Sequence, residues 1–224
     1  MSDRFAIYAS REEIENLFGV TAGRMDFYEP NYNITPGERV PIIVKEGGKK
    51  EVQPSLWGLI PPGAETDTAG IEYFEVKVED VEEDEWYSEC FRQRRCIVPA
   101  NGFFKWKTTR KKSTPFYIRL LSNNVMGIAG LYSKWQSANG RRVYSFAMLT
   151  TEANALVQPV DDRMPVILRA DNYDIWLGQE RVDTATLAGL LKPYLLTEMA
   201  VNRVSEEIND TEKNDPRLIQ PIPK

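Results

Sequence analysis

A chain of 224 residues with a formal net charge of -5 is long enough to bury on the order of 70% of its unfolded surface in one domain, and too acidic to coat duplex DNA nonspecifically. It contains no histidine, which excludes imidazole acid–base chemistry and every histidine-dependent serine or cysteine triad; protons must be moved by a carboxylate, a lysine or an amine tuned by its surroundings. Its two cysteines, Cys90 and Cys96, cannot supply a four-thiolate zinc site and read as buried thiols, so neither a metal nor a cofactor is expected.

The start, Met1-Ser2-Asp3-Arg4-Phe5-Ala6-Ile7-Tyr8, lacks the basic and apolar segments of a secretory signal, and no apolar run approaches the roughly 20 residues that cross a bilayer. No membrane partner, a cytoplasmic address and reduced thiols are expected. Ser10-Arg11-Glu12-Glu13 is a capping box ahead of Ile14, Leu17 and Phe18, with Gly19 as the stop, and predicts one short amphipathic helix. Strands dominate from there. Residues 40–44, 51–57, 96–98, 102–106, 116–121, 125–131 and 143–149 are rich in β-branched and aromatic side chains and bounded by Gly, Pro, Asn or Ser. Short helices are predicted at 82–91 and 152–157. Beyond a Met-Pro-Val-Ile-Leu strand come two more, at 172–177 stopped by Gly178, and at 184–191 capped by Asp183 and ended by Pro193. No linker, repeat or glycine-rich phosphate loop interrupts the chain. The expectation is an α+β fold, a single domain over residues 1–224, mainly antiparallel β-sheet with several short peripheral helices.

The segment from Arg94 to Trp106 carries the clearest chemical clue. It reads as an apolar strand, a Pro-Ala-Asn-Gly turn and an aromatic strand holding one lysine. On a pleated strand Lys105 shares a face with Phe103, and Phe104 shares the other with Trp106, so hydrophobic bulk lies beside a charge on either face. Such a charge needs a partner or a role; the alternative is an edge strand from which Lys105 snorkels to water. Charge is also unevenly spread. Residues 92–112 hold Arg92, Arg94, Arg95, Lys105, Lys107, Arg110, Lys111 and Lys112 with no acid, whereas residues 72–89 hold nine acids against Lys77 alone. A basic stripe interleaved with aromatic rings suits a nucleic-acid single strand, whose phosphates attract cations and whose bases stack. The alternative is a solvated hairpin tip at residues 107–113, neutralised by the acidic run.

Several ordered motifs accompany this segment: Arg4-Phe5 after the start, Asn33-Ile34-Thr35-Pro36, Trp57-Gly58-Leu59-Ile60-Pro61, Ala129-Gly130-Leu131-Tyr132, Thr150-Thr151-Glu152-Ala153-Asn154 and Asp162-Arg163-Met164-Pro165-Val166-Ile167-Leu168. Together they resemble the SOS response-associated peptidase family across nearly the whole chain, and Asn202 and Asn214-Asp215 fit its closing motifs. The resemblance implies the barrel-like fold of that family. It also implies a monomeric sensor of abasic sites in single-stranded DNA, acting in the DNA damage (SOS) response after removal of the initiator methionine.

The resemblance further implies where the reactive positions lie, and there this chain departs from the family. Ser2 stands where the family has its N-terminal cysteine, Lys105 where it has a catalytic glutamate, and Asp161 where a histidine precedes Asp-Arg-Met-Pro. The family's Asn-Ala-Arg-x-Glu-Thr motif falls on Glu75-Val76-Lys77-Val78-Glu79-Asp80. Candidate catalytic residues are thus Ser2, Lys105, Asp161 and Glu75. Candidate DNA contacts are Arg4, Asn33, Trp57, Lys77, Arg94, Trp106, Thr150 and Arg163. The Ser2 α-amine, with a pKa of roughly 7.7 to 8.0, suffices for a Schiff base, but without the thiol no stable thiazolidine closes. Lys105 and Asp161 read as a correlated replacement: either a structural ion pair, or an imine-forming lysine with Asp161 moving protons. Three functions stay open on this reading. They are a weakly reactive abasic-site protein, a noncatalytic nucleic-acid or protein-binding descendant, and a small-molecule enzyme using Lys105, Asp161 and Glu75.

Overall fold

A computed structural model of the chain describes residues 4–21, 25–122, 124–178 and 184–222. Strand β1 (Arg4–Ile7) leads into helix α1 (Arg11–Phe18). The capping box forms as the sequence predicts: Ser10 Oγ accepts from the Glu13 N–H at 3.1 Å, the Glu13 carboxylate accepts from the Ser10 N–H at 2.6 Å, and Gly19 ends the helix in the left-handed region. Strands β2 (Asn31–Ile34), β3 (Arg39–Glu46), β4 (Lys49–Trp57) and β5 (Glu75–Lys77) follow, then helix α2 (Glu85–Gln93), capped by Asp84. Five strands come next: β6 (Arg95–Ala100), β7 (Gly102–Thr108), β8 (Ser113–Leu120), β9 (Met126–Gln136) and β10 (Arg142–Glu152). The chain continues through β11 (Arg163–Pro165), β12 (Ile167–Leu168), α3 (Tyr173–Leu177), α4 (Thr184–Leu190) and β13 (Met199–Arg203).

The strands make two sheets, and the fold is α+β, mostly antiparallel. In the larger one β10 pairs with β4, β4 with β3, β3 with β6, β6 with β9, and β9 returns to β10, so these strands close on themselves as a barrel and leave few free edges. Strands β5 and β11 attach to β10, and β12 attaches to β9. The second sheet runs β13-β8-β7-β1-β2, every pair antiparallel. Pro99-Ala100-Asn101-Gly102 is therefore a corner: β6 ends in the barrel and β7 begins in the other sheet. Asn101 fixes it, its Oδ1 accepting from the Tyr8 and Ala9 N–H groups at 2.7 and 3.0 Å and its own N–H donating to Ala6 at 2.8 Å.

Both faces of the second sheet are covered, which decides the fate of Lys105. Phe5 and Phe103 pack into the main core with Trp57, while Ala6, Phe104 and Tyr117 form a smaller core with Val204, Ile208 and Leu218 of the C-terminal segment. Strand β7 is interior, flanked by β1 and β8. Lys105 is only 5% exposed, so the edge-strand reading, with this lysine snorkelling to water, is overturned.

Three other expectations need correction. Residues 152–157 are not a helix: Glu152 is the last residue of β10, and the Asn154 side chain accepts from the Leu156 and Val157 N–H groups, both at 3.1 Å, folding an Asx turn. Arg95 does not belong to a basic stripe. It is buried, and its guanidinium donates to the carbonyls of Phe91, Arg92, Trp176 and Gly178, tying α2 and α3 to β6. Strands β1, β2, β5 and β13 also exist where no strand is predicted. The Asp183 cap lies outside the described residues.

Gly102 has no room for a side chain, because a Cβ there would stand 2.4 Å from the Tyr117 ring. Gly102→Ala should destabilise the protein by roughly 1 to 3 kcal/mol in urea unfolding, as overpacking does. Gly189→Ala, where nothing lies within 4 Å, should be neutral or stabilising by up to about 1 kcal/mol.

Candidate functional site

Lys105 lines a narrow pocket between the two sheets whose cavity volume is about 20 Å³, room for roughly one water molecule. Phe5, Trp57, Phe74 and Met148 wall its apolar side; Arg4, Glu75, Lys105 and Thr150 supply its polar groups. The four polar residues come from four different strands, brought together by register. Arg4 stands opposite Phe104 in the β1–β7 pairing, one step from Lys105, while β5 sets Glu75 opposite Met148 and Lys77 opposite Thr150. The pocket thus assembles from segments far apart in sequence.

Asp161, in the turn before β11, brings a carboxylate to this lysine. Its Oδ2 lies 4.0 Å from Lys105 Nζ, and the two side chains are 6% and 13% exposed for lysine and aspartate respectively. The separation is that of an ion pair without a direct hydrogen bond. Removing an ammonium from water costs several kcal/mol unless charges and dipoles replace its hydration, and Asp161 supplies part of that replacement. Asp161 Oδ1 accepts from the Arg163 N–H at 2.9 Å, which orients the carboxylate.

The remaining predicted residues take different positions. Trp57 is a wall: it is 2% exposed, makes edge contacts with Phe5 and Phe74 at centroid distances of 4.9 and 5.9 Å, and donates its indole N–H to the Phe74 carbonyl at 2.9 Å. Arg4 is 5% exposed; it donates to Asn33 Oδ1 at 3.1 Å and the Asn209 carbonyl at 3.3 Å, and lies 5.7 Å from the centre of the Trp106 ring. Burial pulls the Arg4 pKa down, and Glu38 and Asp210 push it back up. Asn33 donates to the carbonyls of Asp210 and Lys213 at 2.8 and 2.9 Å, and Trp106 donates its indole N–H to Asn209 Oδ1 at 3.0 Å. Three expected DNA contacts are therefore bonded to the chain's own C-terminal segment.

Lys77 is exposed on β5, beside buried Thr150. Arg94 does not line the pocket; it pairs with Glu89 at 2.9 Å and donates to Cys90 Sγ at 3.7 Å. Arg163 grips both oxygens of Glu79, at 3.0 and 2.9 Å, and also donates to the Thr150 carbonyl at 2.6 Å. The Arg163 hydrogen bond holds the Glu79 carboxyl below the usual carboxylate range. Lys107, Arg110, Lys111 and Lys112 do form an exposed hairpin tip between β7 and β8, where Lys112 pairs with Glu206 at 2.5 Å rather than with the acidic run. Ser2 lies outside the described residues.

Sequence reasoning missed Glu79 and Asn209 as partners of these groups. Glu79 was visible as the glutamate of the matched motif; Asn209 carries no signal beyond being an asparagine in a polar tail. Burial pushes the thiols of Cys90 and Cys96 up, so neither is a ready nucleophile. Among the described residues no cluster of three or more Cys, Asp or Glu side chains is placed to hold a metal ion, and no helix is long and apolar enough to cross a membrane.

A barrel with a second sheet laid against it and a charged pocket between the two is an architecture with known counterparts. The family profile of the SOS response associated peptidase (SRAP) matches residues 1–211, and the chain belongs to that family. It is 32% identical to the abasic site processing protein YoqW of Bacillus subtilis, over 98% of this chain and 99% of that one. It is 31% identical to YobE, another abasic site processing protein of Bacillus subtilis, over 95% and 98%. The abasic site processing protein YMR114C of Saccharomyces cerevisiae is 27% identical and matches 89% of this chain, which spans 55% of its length. In fold, a Bacteroides thetaiotaomicron protein of known crystal structure superposes with a TM-score of 0.88 at 24% identity, covering 98% of this chain and 99% of its own. A Bordetella bronchiseptica protein superposes with a TM-score of 0.76 at 21% identity, covering 92% and 100%.

A double-mutant cycle of Lys105→Met and Asp161→Asn in urea unfolding should give a coupling energy of about 1 to 3 kcal/mol, against roughly 0.2 to 1 kcal/mol for an exposed pair. A coupling near zero would show that the two charges do not stabilise each other.

Proposed function

We propose that this pocket binds single-stranded DNA at an abasic site and meets its aldehyde with an amine, forming a reversible imine rather than a durable crosslink. The observation that carries the reading is a buried lysine, Lys105, with the Asp161 carboxylate 4.0 Å from its Nζ and Glu75 in the same wall. A neutral amine attacks the aldehyde carbon, a carbinolamine forms, and its hydroxyl leaves as water when a proton is delivered to it. Asp161 is placed to take the proton from the nitrogen and return it to the leaving oxygen. The α-amine of Ser2, free once Met1 is removed, competes for the same aldehyde. Neither amine has a thiol beside it to close a stable ring.

Binding rests on the ring of Trp106, half-buried beside Arg4, and on exposed cations, Lys77 first. A second, noncatalytic reading is favoured by one fact: Arg4, Asn33 and Trp106 already spend hydrogen bonds on residues 209–213. The two readings separate by mass.

Incubation with an abasic single-stranded oligonucleotide should give no heat-stable adduct, and borohydride should trap an adduct mapping to Ser2 or Lys105. Ser2→Cys alone should restore little, because positioned proton transfer typically supplies about 10² to 10⁴ in rate. The triple change Ser2→Cys, Lys105→Glu and Asp161→His should give a stable crosslink. A heat-stable adduct from the unaltered protein would sink the proposal, and no adduct even with borohydride would leave the binding reading. In fluorescence anisotropy, Lys77→Ala should reduce the salt slope of single-strand binding by about 0.7.

A further inference from the structure

We propose that the groove between α2 and α4 is a docking site for a basic, amphipathic segment of a partner protein, which buries apolar side chains against Phe91 and Leu191 and lays lysines or arginines along the α2 lip. The groove shares no lining residue with the Lys105 pocket, and its occupant does not depend on the abasic-site reading.

The groove has a cavity volume of about 330 Å³. One wall is formed by the ends of the 3-10 turn Val78–Val81 and by Phe91 of α2, the other by Ala188 of α4 and Leu191 just after it, with Glu82 at the α2 lip. Val81 and Phe91 belong to the main core, 2% and 6% exposed, and Val78 and Leu191 pack against that core from the rim. The floor is therefore held by the interior of the protein, and the concavity is preformed. Apolar surface facing water in a concavity of this size gains free energy from whatever covers it, and such grooves are where partner segments lay their apolar faces.

Charge decides what covers it. Residues 78–91 hold seven acids and no lysine or arginine, whereas residues 184–191 hold no charge at all. Three of the acids are committed: Glu79 to Arg163, Asp84 to the Trp86 and Tyr87 N–H groups at the start of α2, and Glu89 to Arg94. Asp80, Glu82, Glu83 and Glu85 have no cation within ion-pair distance among the described residues, and the last three are exposed. Their mutual repulsion is relieved by a cationic partner and made worse by a phosphate backbone. An occupant must thus be apolar on the face that enters the groove, cationic on the flank along α2 and neutral along α4. The chain's own basic hairpin tip meets half of that requirement: residues 107–112, Lys-Thr-Thr-Arg-Lys-Lys, offer cations but no large apolar side chain to bury. A foreign segment with apolar anchors beside its lysines fits both halves.

The test uses the full chain and a fluorescein-labelled peptide of leucine, alanine and lysine, with leucines at i, i+3, i+4 and i+7 and lysines along one flank of that face. Fluorescence anisotropy should show saturable binding. A scrambled peptide of the same composition, whose leucines share no face, should bind about tenfold more weakly or worse, as should one with glutamate in place of lysine. Ala188→Gln, a neutral change at an exposed position of α4, narrows the groove and should weaken the amphipathic peptide about tenfold, the effect of keeping one leucine side chain out. Its urea midpoint should match that of the unaltered protein, since glutamine is a good helix former. Glu82→Gln should weaken the peptide by up to about fivefold at low salt, an effect that added salt removes. Equal binding of the amphipathic and scrambled peptides, or no effect of Ala188→Gln, would mean attraction by charge alone and would overturn the proposal, as would a lack of saturable binding. Sedimentation of the protein by itself tests the other occupant: a concentration-dependent dimer abolished by Ala188→Gln would make the groove a contact between copies and end the proposal, whereas a monomer that binds the peptide supports it.

Discussion

Strand β10 has two edges and four partners, and the pocket exists because each edge is divided. Its residues 142–148 pair with β9 and its residues 150–152 with β11, which therefore share one edge. On the opposite edge β4 pairs at residues 144–146 and β5 at 148–150, both parallel. The two edges change partner two residues apart, between 146 and 148 on one and between 148 and 150 on the other. The first partner of each pair closes the barrel, and the second leaves it to carry Glu75 and Lys77 on one side and Arg163 on the other. Residues 58–74 link β4 to β5, so the chain leaves this edge of β10 and returns to it in the same direction. The ends of that link are drawn together where Gly58, at φ +134°, passes Gly70 so closely that a Cβ would stand 2.6 Å from the Gly70 carbonyl oxygen.

That division explains which parts of the fold were legible in the sequence. Long strands with their own apolar pattern, such as β3, β4, β9 and β10, announce themselves through Val, Ile and aromatic residues. Short strands do not. Glu75-Val76-Lys77 sits inside an acidic run and becomes a strand only because β10 offers it an edge, and Arg4–Ile7 and Asn31–Ile34 are four residues each with no repeating pattern to read. The Glu152–Ala153–Asn154 stretch looked helical by propensity. Pairing of Glu152 with Arg163 in β11 and the Asx turn at Asn154 outweighed it.

The candidate site was legible in its residue types and not in its hydrogen bonds. Motif order located Lys105, Asp161 and Glu75, and the structure brings the first two to 4.0 Å and the third into the same wall. Alternation along β7 also gave the correct faces: Phe103 goes to the main core and Phe104 to the C-terminal one. Nothing in the sequence says that Arg163 spends its fork on Glu79, 84 residues away, or that Trp106 bonds Asn209, 103 residues away. Such pairings are fixed by tertiary placement. Cations near a motif are as easily structural as functional until their acceptors are known.

The absence of histidine and the burial of Lys105 constrain one another. A histidine near neutrality exchanges protons whether or not it is paired, whereas a lysine is a useful base or nucleophile near neutral pH only if its surroundings disfavour the ammonium. Aromatic walls do that, and a carboxylate 4.0 Å away opposes it. Whether the pocket is reactive or merely braced is thus a balance between desolvation by Phe5, Trp57 and Phe103 and the field of Asp161. Small displacements of that carboxylate move the balance, because Coulomb energy in a partly dry pocket changes steeply over the first few ångströms. In a chain without histidine this balance is set by placement, and the Arg163 N–H that donates to Asp161 Oδ1 at 2.9 Å fixes one side of it.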